Sequence, residues 1–168
     1  SCALMLKFEW PLILPADEDV KRLSKSTFDV SEYIVDIAKK NGLAPGLKPL
    51  DGGVTVHLAC HARAQNMGPK AAELLRLIPD TKVSVIERCS GHGGSWGVKK
   101  EWFEVALKVG KPVARQAAKN GHPHVVSECP LAGEHIVQGM EKLNDADAQV
   151  PKHAKHPVEL LARAYGLA

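Results

Sequence analysis

Three short valine-rich runs recur along this chain, and each ends at a cysteine. Cys60 closes Val54-Thr55-Val56-His57-Leu58-Ala59, and Cys89 closes Val83-Ser84-Val85-Ile86-Glu87-Arg88. Cys129 closes Val125-Val126-Ser127-Glu128. Short apolar runs separated by stretches of helical period read as buried strands of a parallel α/β sheet. All strands of such a sheet end along one edge, and ligands bind in the crevice there. The repeat therefore predicts three thiols on one sheet edge. Thiolates are soft donors that select zinc, copper(I) or iron–sulfur centres.

The rest of the chain fits around these runs. Leu4, Met5, Phe8 and Leu12 follow a helical period that Pro11 and Pro15 should end. Asp29 and Glu32 form a capping box that opens a helix carrying Tyr33, Ile34 and Ile37 on one face, with Gly42 as its stop. Leu43–Gly53 is rich in Pro and Gly and reads as a linker. Strand Val54–Ala59 then leads to helix Lys70–Ile78. Strand Val83–Glu87 leads through a glycine-rich loop to a helical stretch, Lys99–Lys119, that Pro112 should break or kink. Strand His124–Glu128 leads to helix Leu131–Leu143. Pro157 suits the first turn of a last helix. Each interval between successive cysteines accommodates one crossover. The predicted fold is α/β, a parallel sheet of three to four strands flanked by helices, with an N-terminal helical segment.

A chain of 168 residues suits one domain with its own core. A formal charge of +3 with scattered basic residues gives no nucleic-acid footprint. No segment reaches the ~18 uninterrupted apolar residues of a membrane span. Four cysteines are too few for a disulfide scaffold, and Ser1–Lys7 lacks the basic start of a signal peptide. The expected compartment is the cytoplasm, with peripheral association at the inner face of the membrane left open. There, spaced cysteines point to metal or catalysis.

The chemistry concentrates in four places. Cys60, Cys89 and Cys129 are candidate metal ligands, with three buried inert thiols as the alternative. The loop Cys89-Ser90-Gly91-His92-Gly93-Gly94-Ser95-Trp96-Gly97 lets backbone amides approach an anionic group, so Gly91, Gly93 and Gly94 are candidate cofactor contacts. The loop matches neither a phosphate-binding nor a dinucleotide fingerprint. Ser90 or His92 could complete a metal site. His61 beside Cys60 raises a cysteine-nucleophile alternative, and Glu128, Glu134 and His135 could act as outer groups.

At these residues the chain resembles the cysteine-rich (CCG) domain family. That family is found in the B subunits of heterodisulfide reductases and the C subunits of anaerobic glycerol-3-phosphate dehydrogenases. Its pattern is a Cys after the first strand, Cys-Cys-Gly after the second and Cys-Pro-x-Cys after the third. Here the three places read Cys60-His61, Cys89-Ser90-Gly91 and Cys129-Pro130-Leu131-Ala132. Gly94–Glu101 and His156–Ala164 look most like the dehydrogenase C subunits, and Ser1–Lys7 resembles the tail of a preceding Cys-Pro-x-Cys motif. The resemblance implies residues 1–50 as the end of a preceding repeat plus linker, and 51–168 as a cysteine-rich α/β domain.

It also implies an iron–sulfur cluster and an electron-transfer role within an oxidoreductase. The partners would be a flavin-bearing dehydrogenase or other redox subunit and a preceding cysteine-rich repeat. Ser90 and Ala132 replace two of the five motif cysteines. The three that remain leave open a three-iron cluster, a four-iron cluster completed by Ser90, His92 or an outside ligand, or a zinc site. A docking or scaffold domain that has lost its cluster stands as the non-catalytic alternative.

Overall fold

The central strand has no exposed position. In a computed structural model that describes residues 2–143 and 149–167, β1 (Val54–His57) is buried at all of its residues. It pairs in parallel with β2 (Val83–Ile86) on one side and β3 (His124–Ser127) on the other, giving the order β2-β1-β3. The register sets Val54 opposite Val83 and His124, and His57 opposite Ile86 and Ser127. A strand flanked on both edges and covered on both faces needs a near-continuous apolar run, which Val54-Thr55-Val56 supplies. Beyond β3 the sheet is extended by one bridge: Lys155 N–H donates to the Val125 carbonyl, and Ser127 N–H donates to the Lys155 carbonyl.

Parallel neighbours require crossovers, and these use both faces. α5 (Cys60–Ala64) and α6 (Lys70–Leu75) join β1 to β2. α7 (Phe103–Asn120) then carries the chain back past β1 to β3, and α8 (Pro130–Glu141) and α9 (Pro157–Ala164) follow. Moving in opposite directions along the sheet with crossovers of one hand puts successive helices on opposite faces. The core divides accordingly. Val54, Val56 and Val126 pack with Leu74, Leu75, Ile78 and Leu160 on one face. Ile86 and Val125 pack with Val113, Ala117, Ile136 and Met140 on the other.

The N-terminal segment comprises α1 (Cys2–Leu4), a π-helical stretch (Met5–Glu9), α2 (Trp10–Ile13), α3 (Glu18–Ser26) and α4 (Val30–Asn41). Pro11 does not end its helix as the sequence predicts. It sits in the first turn of α2, where its missing N–H is tolerated. The Lys7 carbonyl, one turn earlier, accepts the Ser24 hydroxyl at 2.6 Å instead. The capping box at Asp29 and Glu32 forms as expected, and Gly42 ends α4 at φ +75°. The buried face of α4 is Ser31 and Val35, whereas Tyr33 lies 54 % exposed. The segment after α4 has no regular structure but is tied down. Leu50 is buried, Lys48 N–H donates to the Ala164 carbonyl, and Tyr165 Oη donates to the Ala44 carbonyl.

Pro112 leaves α7 unbroken. Pro112 and Lys108 are both exposed, so water reaches the carbonyl that proline cannot bond, while Val113 and Ala114 hold the helix to the core. The helix starts at Phe103, after turns over Lys99–Trp102. Among the described residues no helix is long and apolar enough to cross a membrane.

The glycine-rich loop is pressed directly onto α7. A Cβ on Gly110 would fall inside the van der Waals shell of the Ser90 carbonyl oxygen, and one on Gly91 inside that of the Ala106 carbonyl oxygen. Gly110→Ala is therefore expected to lower unfolding stability by about 1–3 kcal/mol. Val109→Ala, exposed on the same helix, should stay within about 0.5 kcal/mol. Thermal or denaturant unfolding of both variants checks this.

Candidate metal centre

The three cysteines leave the sheet edge by three different local structures. Cys60 is the first residue of α5, behind the extended Ala59. Cys89 stands just beyond β2, at the head of the glycine-rich loop. Cys129 is the N-cap residue of α8, and Pro130 fixes the first helical turn. All three line one cavity of about 200 Å³, together with His57, His61, Ser90, His92, Gly93, Gly94 and Ala132. The order β2-β1-β3 reverses direction beside β1, which is where α/β sheets open their binding crevice. Cys60 and Cys89 are exposed and Cys129 is half-buried, and all are free thiols. None of the three is therefore a fully buried core thiol.

The glycine-rich loop brings donors against this cavity. His92 Nδ1 lies 2.9 Å from Ser90 Oγ, while its Nε2 lies 3.9 Å from Cys129 Sγ. Burial, reinforced by His135 and His61, holds the His92 ring below its ordinary pKa and so neutral near pH 7. Gly91 N–H donates to Cys89 Sγ at 3.4 Å. Gly93 and Gly94, at φ +55° and +65°, line the cavity with bare backbone. Gly91 does not line it. His153, distant in sequence, sits 3.5 Å from Glu134, and His156 caps α9.

Two polar residues not singled out in the sequence sit beneath the cavity. His57 and Ser127 are each 1 % exposed, and their side chains meet at 3.2 Å. Each is the last residue of its strand, and the parallel register sets them opposite each other. That pairing is the signal that could have found them.

Residues 54–133 match the family model for the cysteine-rich domain. The chain carries a domain of the cysteine-rich (CCG) family. The match runs from the first residue of β1 into α8 and spans all three strand-end cysteines. Over 165 residues the chain is 28% identical to the C subunit of the anaerobic glycerol-3-phosphate dehydrogenase of Escherichia coli, covering 98% of this chain and 38% of that protein. It is 28% identical over 174 residues to the D subunit of the dihydromethanophenazine:CoB–CoM heterodisulfide reductase of Methanosarcina acetivorans, covering 99% of this chain and 39% of that protein. It is 30% identical over 129 residues to an uncharacterized iron-sulfur protein of Methanocaldococcus jannaschii, covering 76% of this chain and 25% of that protein. The chain thus spans less than two fifths of the length of these relatives. No solved structure matches it.

The donors of this cysteine-rich domain can be tested against the cluster its family implies. Three thiols and a neutral imidazole form a soft donor set that fits an iron–sulfur centre or zinc. They do not fit a five-thiolate centre, because Ala132 carries no donor and Ser90 is turned to His92. Among the described residues no group of three or more His, Cys, Asp or Glu side chains is already drawn together so as to hold a metal ion. The thiols ring a space.

On the other side of Cys129 lies a second cavity of about 230 Å³, lined by Cys2, Asp29, His61, Gln65 and Glu128 among others. Burial, with Asp29 adding to it, pushes the Glu128 carboxyl up to about 7. A carboxyl whose folded pKa is raised favours folding at low pH, and that contribution is lost as pH rises through about 7. Glu128→Gln removes the charge that must be buried above that point. The variant should gain about 1–3 kcal/mol over the parent at pH 8 and little at pH 5, read by denaturant unfolding at both values.

Proposed function

We propose that this chain is an electron-transfer domain of an oxidoreductase subunit, holding an iron–sulfur centre on Cys60, Cys89 and Cys129. The observation that carries the reading is that these three thiols, from three successive strand ends, line a single cavity. When bound, such a centre takes up and passes on single electrons at a potential set by its ligands and surroundings. The residues of this chain do the holding and tuning. Of the two candidates for a further donor, His92 is favoured over Ser90. The Ser90 hydroxyl is engaged with His92 Nδ1, while His92 Nε2 is directed toward Cys129 Sγ. Gly91 N–H places a hydrogen bond on Cys89 Sγ, and Gly93 and Gly94 leave backbone bare at the cavity wall. Hydrogen bonds to the sulfurs adjust a potential without changing the ligands.

The partner of such a domain is another redox subunit, flavin-bearing on the family resemblance. The names of the relatives, two oxidoreductase subunits and an iron-sulfur protein, support the class of activity. A zinc-stabilised domain and a docking domain without metal are the competing outcomes. Anaerobic purification followed by visible absorption and iron, sulfide and zinc analysis separates them. Colour with comparable iron and sulfide is the expected result; zinc alone, or neither metal, overturns the reading. Cys89→Ala should lose at least about 90% of the bound metal, in line with the 10–100-fold effects of perturbing metal sites. Unchanged metal content in a folded Cys89→Ala variant would remove Cys89 from the site.

A further inference from the structure

A chain of hydrogen bonds links the three strand ends just below the thiols. His57 is the last residue of β1. Its Nε2 lies 2.8 Å from the carbonyl of Arg88, the residue before Cys89. Its Nδ1 lies 3.2 Å from Ser127 Oγ, which in turn lies 3.2 Å from the backbone N of Cys129. A carbonyl only accepts, so Nε2 carries the ring proton and donates it to Arg88. Burial depresses the His57 pKa, so the ring is neutral and Nδ1 is an acceptor. The Ser127 hydroxyl must then donate to Nδ1, and its oxygen is left to accept the Cys129 N–H. Every bond in the chain has one direction.

An aliphatic side chain at this position would bury apolar surface with no polar group to satisfy. An imidazole that is 1 % exposed is desolvated at a penalty its two bonds must offset. Both bonds run to the loops that bear thiols, one to the Cys89 side and one to the Cys129 side. Neither runs along the sheet ladder. Leucine or phenylalanine could fill the volume, but neither could connect the two loops.

Resting on the reading that Cys89 and Cys129 serve one centre, we propose that His57 is its positioning residue, fixing the separation of the Cys89 and Cys129 loops through Arg88 and Ser127. It touches no metal and acts through the Arg88 carbonyl on one side and the Ser127 hydroxyl on the other.

The test reads thiol spacing without metal. In the 168-residue chain carrying Cys2→Ala and Cys60→Ala, Cys89 and Cys129 are the only thiols. Dibromobimane, a short bifunctional reagent that fluoresces when it bridges two thiols, should close this pair readily. His57→Phe, which keeps a ring but removes both bonds, should slow bridging about tenfold, as should Ser127→Ala, which breaks only the middle link. Alkylation by monobromobimane, which needs one thiol at a time, should be unchanged in both. His57→Gln keeps an N–H able to reach Arg88 and should recover part of the rate.

Failure of the parent to bridge, or bridging within about twofold of the parent in folded His57→Phe and Ser127→Ala, overturns the proposal. If His57→Phe does not fold, Ser127→Ala decides. If neither folds, His57 holds the fold rather than the site, and the proposal is likewise overturned. Because bridging is scored on metal-free protein, a wild-type chain lacking iron and sulfide would sink the cluster reading while leaving the bridging result to stand.

Discussion

The in-register parallel pairing of β1 with both neighbours is the constraint from which the remaining architecture follows. Parallel strands cannot be joined by hairpins, so each must be followed by a crossover that begins at the same sheet edge. A residue placed immediately after any strand therefore arrives at that edge whatever the rest of the crossover does. The three cysteines use this fact three times, at the start of α5, at the head of the glycine-rich loop and at the N-cap of α8. The sheet order adds a second consequence. The chain leaves β1 toward one face and β3 toward the other, so α6 and α8 pack on opposite faces, and the crevice in which the thiols stand opens at the sheet edge between them.

Glycine does two different things in the loop after Cys89, and the sequence alone presents them as one. Gly91 and Gly97 admit α7: a side chain on either would collide with backbone of the helix or of the loop itself. Gly93 and Gly94, at positive φ, turn their backbone toward the cavity. Packing comes first. The seating of Gly91 against Ala106 and of Ser90 against Gly110 fixes where Ser90 and His92 emerge, and so where the His92 ring can reach.

Much of this is legible in the residues. Valine-rich runs mark the three strands to within one or two positions, and Asp29 with Glu32 marks the start of α4, because both signals are local. The misplaced features depend on what lies across the fold. Pro11 and Pro112 look like helix breaks, yet Ser24 reaches the carbonyl left free before one, and solvent covers the other. Tyr33 fits the helical period but faces outward, since the body of the domain lies against Val35. In the sequence His57 is simply one residue of a strand. Its meaning needs Ser127 and Arg88, which are adjacent only once the register is set.

The replacement of a thiol by Ser90 bears directly on what the proposed centre can be. A serine hydroxyl is a hard, reluctantly ionised donor and a poor substitute for thiolate at a soft metal. Here it has a different use. By engaging His92 Nδ1 at 2.9 Å it leaves Nε2 as the ring nitrogen facing Cys129 Sγ, and burial keeps that ring neutral. A residue that has lost the capacity to ligate can thus orient one that has it, which is how ligand histidines are held in metal sites generally. On the proposed reading, the site has exchanged one thiolate for an oriented imidazole. An imidazole is neutral where a thiolate is negative, so the exchange removes one negative charge from beside the centre and favours its reduced form. On that same reading, the departure at Ser90 acts on the potential of the centre as well as on its ligand count.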